Sequence, residues 1–166
     1  MATLIAIPVL GSLLILETAL LNRFPLLHGT TDLVLLAVIA WALQKRVQTA
    51  WQWGIIGGLL VGLVSAMPWI VSLLIYPMAA GLALLLKQRV WQVPILAMFI
   101  ATFFATLLTH LLAMTVLRVL GTNLQVQQAL SVVTLPSLIL NLLVAIPVYA
   151  LLTELAALVY PQKLEA

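Results

Sequence analysis

The chain has 166 residues, 65% of them hydrophobic and 7% charged, with a mean hydropathy of +1.27, whereas a soluble domain carries about 25% charged residues. This composition excludes a water-soluble globular domain and makes a count of membrane spans the useful measure of length. The net charge of +3 rests on seven basic residues scattered singly or in pairs, which is not a nucleic-acid patch, and the lack of cysteine excludes disulfides, thiolate metal sites and a cysteine nucleophile.

In hydrocarbon every backbone N–H and C=O must be paired within the protein, so apolar runs of this length are expected as helices or as a closed barrel. The run Leu82, Ala83, Leu84, Leu85, Leu86 does not alternate, which speaks against a barrel. The expected fold class is all-α, a polytopic transmembrane bundle forming one membrane domain. Its first helix covers residues 4–21. This segment lacks the basic start and small-residue cleavage site of a signal peptide, so it is expected to be retained. Asn22, Arg23, Phe24 and Pro25 break the pattern. The second helix covers 31–43, with Asp32 as N-cap and Lys45 and Arg46 closing it.

Residues 53–86 carry no charge over about twice the length of one crossing. Two helices fit, 53–66 and 69–86, turning near Met67, Pro68 and Trp69, with Pro77 kinking the second of them. A fifth covers 91–117, and a sixth 130–159, kinked at Pro136 or Pro147. Six spans result, or five if 53–86 contains a re-entrant piece. With six, Lys45, Arg46, Lys87, Arg89 and Lys163 fall on one side and only Arg23 and Arg118 on the other, which favours both termini in the cytoplasm. Trp41, Trp51, Trp53, Trp91 and Tyr160 fall at the predicted cytoplasmic ends, where amphipathic rings sit at headgroup level.

Small residues recur every four positions in two helices: Gly54, Gly58, Gly62 and Ala66 in the third, Ala97, Ala101, Ala105, Thr109 and Ala113 in the fifth. Such stripes let helices approach closely where lipid offers no hydrophobic drive for association. They serve packing inside the bundle or a docking face for another protein.

Ionisable groups inside spans are costly and are default candidates for function. On the six-span topology Glu17, Arg23, Asp32, His110 and Arg118 lie toward the outer face as a polar cluster, with Glu17 and Arg118 the expected pair. Glu154 lies near the inner end, where Lys45, Arg46 or Lys87 could neutralise it. Asn141 is the main polar group at mid-membrane, and a lone asparagine there more often ties helices together than binds substrate. The chain has no GxSxG element, no HExxH spacing and no glycine-rich loop followed by lysine, so serine-hydrolase, zinc-hydrolase and phosphate-loop chemistry find no residues to carry them. A proton relay would need acids or histidines strung across the span. No enzymatic activity, metal or cofactor is expected.

The segment that begins Thr31-Asp32-Leu33 and ends Trp41-Ala42-Leu43, the basic residues after it, and the run Gly54-Ile55-Ile56-Gly57-Gly58 together resemble the MreD family of rod shape-determining membrane proteins. Leu135-Pro136-Ser137 and Leu140-Asn141-Leu142, followed by Ile146-Pro147-Val148-Tyr149, are similar to that family's closing segment. Thr31 stands where proline commonly precedes the acidic residue, and the third helix lacks the acid often found there. The resemblance implies a scaffold of the elongasome in the bacterial cytoplasmic membrane, embedded in membrane lipid. Such a scaffold would bind the single-span protein MreC and act alongside MreB and the peptidoglycan synthases, with the loop at 121–128 or a small-residue stripe as the contact. The same architecture is similar to that of the substrate-binding S-components of energy-coupling factor vitamin transporters, the alternative reading.

Overall fold

The computed structural model describes residues 2–21, 29–89, 93–122 and 125–161. Every regular element among them is helical: α1 (Ala2–Leu21), α2 (Leu33–Leu43), α3 (Ala50–Val64), α4 (Trp69–Arg89), α5 (Pro94–Val119), α6 (Val126–Ala129) and α7 (Leu135–Val159). A single π turn, Leu130–Thr134, joins α6 to α7 into one continuous rod. Its cause is the next proline. Pro136 has no N–H and its ring crowds the carbonyl four residues back, so the ladder widens, and Leu135 N–H bonds to Leu130 O five residues away.

Among the described residues three helices are long and apolar enough to cross a bilayer: Trp69–Arg89, Pro94–Val119 and the continuous Val126–Val159. The shorter apolar helices are α1, counted over Thr3–Ala19, together with α2 and α3. The expected second helix is therefore shorter than drawn from sequence. Its 11 residues rise only about 16 Å, roughly half the hydrocarbon thickness.

All 11 residues of α2 are buried, and it packs on α4, α7, α3, α5 and α1. It is the axis of the bundle. Its neighbours alternate in direction. Thr3 of α1 donates to Gln52 of α3, Lys87 of α4 reaches Gln44 and Val47 just past α2, and Arg46 reaches Tyr160 just past α7. The start of α1, the end of α2, the start of α3 and the ends of α4 and α7 therefore share one level, the basic end of the molecule.

The α3 stripe closes on α4. A Cβ on Gly54 would stand 3.0 Å from Pro77 Cα, one on Gly58 2.8 Å from Ser72 O, and one on Gly62 3.2 Å from Trp69 Cα. Ala66 does not extend the stripe, because α3 ends at Val64 and Ala66 is exposed in the bend that precedes Pro68. On α5, Ala97, Ala101 and Ala105 are buried while Thr109 and Ala113 are half-buried.

Two of the expected interfacial tryptophans are interior instead. Trp41 and Trp53 stack with ring centroids 4.1 Å apart and are fully buried, because the short α2–α3 connection folds both rings inward, where Trp41 Nε1 donates to Thr49 Oγ1 at 3.2 Å. Trp51 is exposed, and Trp91 lies outside the described residues. The outer surface is rich in large apolar side chains such as Leu4, Ile15, Leu63, Leu74 and Leu158, as suits contact with lipid tails.

Candidate functional site

The first N–H groups of any helix lack intrahelical acceptors. Because the first turn of α2 is buried between its neighbours, its N–H groups are met by protein. Asp32 caps the helix, its Oδ1 accepting from Leu35 N–H at 2.7 Å. Glu17 Oε2, from α1, accepts from Leu33 N–H at 3.0 Å. Asn141 Oδ1, from α7, accepts from Asp32 N–H at 2.9 Å. One turn earlier on α7, Ser137 Oγ accepts from Thr30 N–H at 2.9 Å.

A second layer holds these groups. Tyr76 Oη of α4 donates to Asp32 Oδ2 at 2.8 Å, and Asn141 Nδ2 donates to Thr106 Oγ1 of α5 at 3.0 Å. Helices α1, α4, α5 and α7 thus each send a polar side chain to one junction. Two carboxylates meet there, and among the described residues no cation pairs with either. The positive end of α2 and two backbone N–H groups, Leu33 to Glu17 and Leu35 to Asp32, face them instead.

Close approach makes the junction possible. A Cβ on Gly29 would lie 2.6 Å from Ser137 N and 2.7 Å from Pro136 C. The strand of chain entering α2 therefore lies directly on the α7 backbone, where the π turn ends and Pro136 has removed a donor.

The expected outer cluster is resolved differently. Glu17 and Asp32 come together, but Arg118 stands exposed in the last turn of α5 with no ion pair among the described residues. The expected Glu17–Arg118 pair is therefore not formed, because Glu17 turns inward to the start of α2. His110, one turn beyond Thr106 on α5, is half-buried and has no hydrogen-bond partner among the described residues. Arg23 lies outside the described residues. Asn141 ties α2 to α5, a bridge between helices. Glu154 is exposed on α7 and forms no ion pair among the described residues. Sequence reasoning passed over Gly29, Tyr76 and Thr106, and met Ser137 only within the Leu135-Pro136-Ser137 resemblance. The spacing of Ser137 and Asn141, four apart on one helix face, is the signal that could have marked a polar stripe.

At the other end of α2, Lys87 performs the closing role expected of Lys45 and Arg46. Its Nζ donates to Gln44 O, and to Val47 O at 3.4 Å, neutralising the carbonyl end of the helix. Gln44 Nε2 donates to Ala40 O at 3.1 Å and to Thr153 Oγ1 of α7 at 3.0 Å. Both ends of α2 are thus fastened by side chains of neighbouring helices. No protein-family profile, curated protein or solved structure matches this chain.

Proposed function

We propose that this protein is a non-catalytic scaffold of the bacterial cytoplasmic membrane, crossing it six times with both termini in the cytoplasm. In this reading it acts as an MreD-like component of the elongasome, binds an MreC-like single-span protein, and supports cell shape and lateral peptidoglycan synthesis alongside MreB and the peptidoglycan synthases. The observation that supports a holding role is how the interior polar side chains are used. Glu17, Asp32, Tyr76, Thr106, Ser137 and Asn141 are all spent on fastening α2. A group already committed to a hydrogen bond within the fold is poorly placed to act on a substrate. The family assignment is supported by the sequence resemblance alone.

The topology is supported by the gathering of Lys45, Arg46, Lys87 and Arg89 at one end while Arg118 stands at the other. The chain has no cysteine, so single cysteines introduced at Lys45 and Thr122 test it cleanly. A membrane-impermeant thiol reagent should label position 122 and spare position 45 in intact cells. Co-expression with the MreC-like protein of the same genome tests the partner. Co-elution through size exclusion is expected, and recovery of the chain with a transporter ATPase pair would replace this reading with the S-component one.

A further inference from the structure

At the basic end of the bundle a cavity of about 330 Å³ opens between the α2–α3 connection and helices α4, α5 and α7. Its size falls in the range of about 300–1,000 Å³ typical of small-molecule sites. Among its described lining residues are three cations, Lys45, Arg46 and Lys87, and no acid. The cations retain donors. Lys87 uses two of its three N–H bonds on Gln44 O and Val47 O. Arg46 offers one Nη1 contact to Tyr160 O at 3.3 Å, leaving the rest of its fork open. Lys45 is exposed and makes no hydrogen bond among the described residues.

The N-terminus of α5 adds to this field. Pro94 and Ala97 line the cavity, no side chain caps the helix, and the first N–H groups of a 26-residue helix carry its positive end. The opposing end of α2 is already neutralised by Lys87. Beside the cavity runs a second, apolar furrow of about 110 Å³ between α5 and α7, bordered by Ile95, Met98, Phe99 and Ile146. Tyr149 lines both, so the cationic chamber and the apolar furrow adjoin at one ring.

We propose that this composite cavity is a binding site for one anionic phospholipid, its phosphate headgroup held by Lys45, Arg46 and Lys87 and the first segment of one acyl chain laid in the furrow between α5 and α7. A free phosphate ion would use the chamber and leave the furrow empty. A lipid uses both, and the furrow borders the apolar flank where Ile95 and Ile146 are exposed. Basic pockets between helices at a membrane face suit such headgroups.

The test uses the full chain in a non-ionic detergent, titrated with phosphatidylglycerol, phosphatidylcholine or inorganic phosphate, with bound lipid counted by native mass spectrometry and thermal unfolding followed in parallel. Phosphatidylglycerol is expected to bind at one copy per chain, at least tenfold tighter than phosphatidylcholine. Removal of both loop cations in Lys45→Ala/Arg46→Ala should weaken it about thirtyfold, taking about 1 kcal/mol for each basic residue beside an anionic lipid. Because Arg46 also touches Tyr160, Lys45→Glu alone provides a variant whose fold is not at stake, with a loss of about tenfold expected. Ala150→Trp, on the exposed rim of the furrow, should weaken phosphatidylglycerol without altering the response to phosphate. Equal retention of the two lipids, an unaltered affinity in Lys45→Glu, or protection by phosphate as strong as that by lipid would each overturn the proposal.

Discussion

The closeness of α3 to α4 can be tested at a single atom. In Gly58→Ala the added methyl carbon would stand 2.8 Å from Ser72 O and 3.0 Å from Leu73 Cα, about 0.6 and 0.4 Å inside the 3.4 Å at which ordinary contact begins. Both obstacles are backbone, so no side chain can rotate away and the helices must separate. Overpacking of this kind costs about 1–3 kcal/mol, while alanine in place of glycine in a helix returns up to about 1 kcal/mol. A net loss of about 1–2 kcal/mol is expected, a fall in Tm of roughly 2–8 °C for a chain of this size. Gly62→Ala, at 3.2 Å from Trp69, should lose less. Gly11→Ala, with nothing within 4 Å, should be neutral or gain up to about 1 kcal/mol. Thermal unfolding of the three variants in one detergent, followed by circular dichroism, gives the order. If Gly58→Ala were as stable as Gly11→Ala, the packing argument would be wrong.

Other expectations follow from the junction. Asn141→Ala strands Asp32 N–H and Thr106 Oγ1 together and should cost about 1–3 kcal/mol, read in equilibrium unfolding by denaturing detergent. Tyr76→Phe removes one donor from buried Asp32 Oδ2 and should cost about 1 kcal/mol or more. In a double-mutant cycle with Asp32→Asn, strict additivity would show that the contact carries no energy. Thr102 is fully buried and its Oγ1 has no hydrogen-bond partner among the described residues. Thr102→Val should therefore stabilise the fold, by about 1 kcal/mol, since an apolar group of the same shape removes an unmet polar one; a lower Tm would reveal a partner for the hydroxyl. Arg118→Glu should change stability by less than about 0.5 kcal/mol, and Glu17→Arg with Arg118→Glu should fail to recover what Glu17→Arg alone loses. Recovery in that double variant would restore the ion pair that the geometry excludes.

Much of the helical layout follows from residue order alone. Hydropathy and the need to pair every backbone group in lipid dictate apolar helices. Pro68 marks the α3–α4 turn, the Asp32 cap is set by local chemistry, and glycines at every fourth position of α3 signal a close neighbour. These are local properties, and each is written within a turn or two of where it acts. The same holds for the π turn, whose cause is the proline at 136.

What tertiary structure alone decided is which helices meet. Every long helix here is apolar on all sides, so none carries the one-sided stripe that tells a buried face from a lipid-facing one in a water-soluble protein. The sequence therefore cannot say that α2 is the axis, that Trp41 and Trp53 stack inside, or that Glu17 turns to Leu33 N–H instead of Arg118. Each depends on contacts between residues distant in the chain, such as Asp32 with Tyr76 and Asn141. Helices of such uniform hydrophobicity are sorted by close fit and by where a few polar atoms can find partners, and that fit exists only once the bundle has assembled.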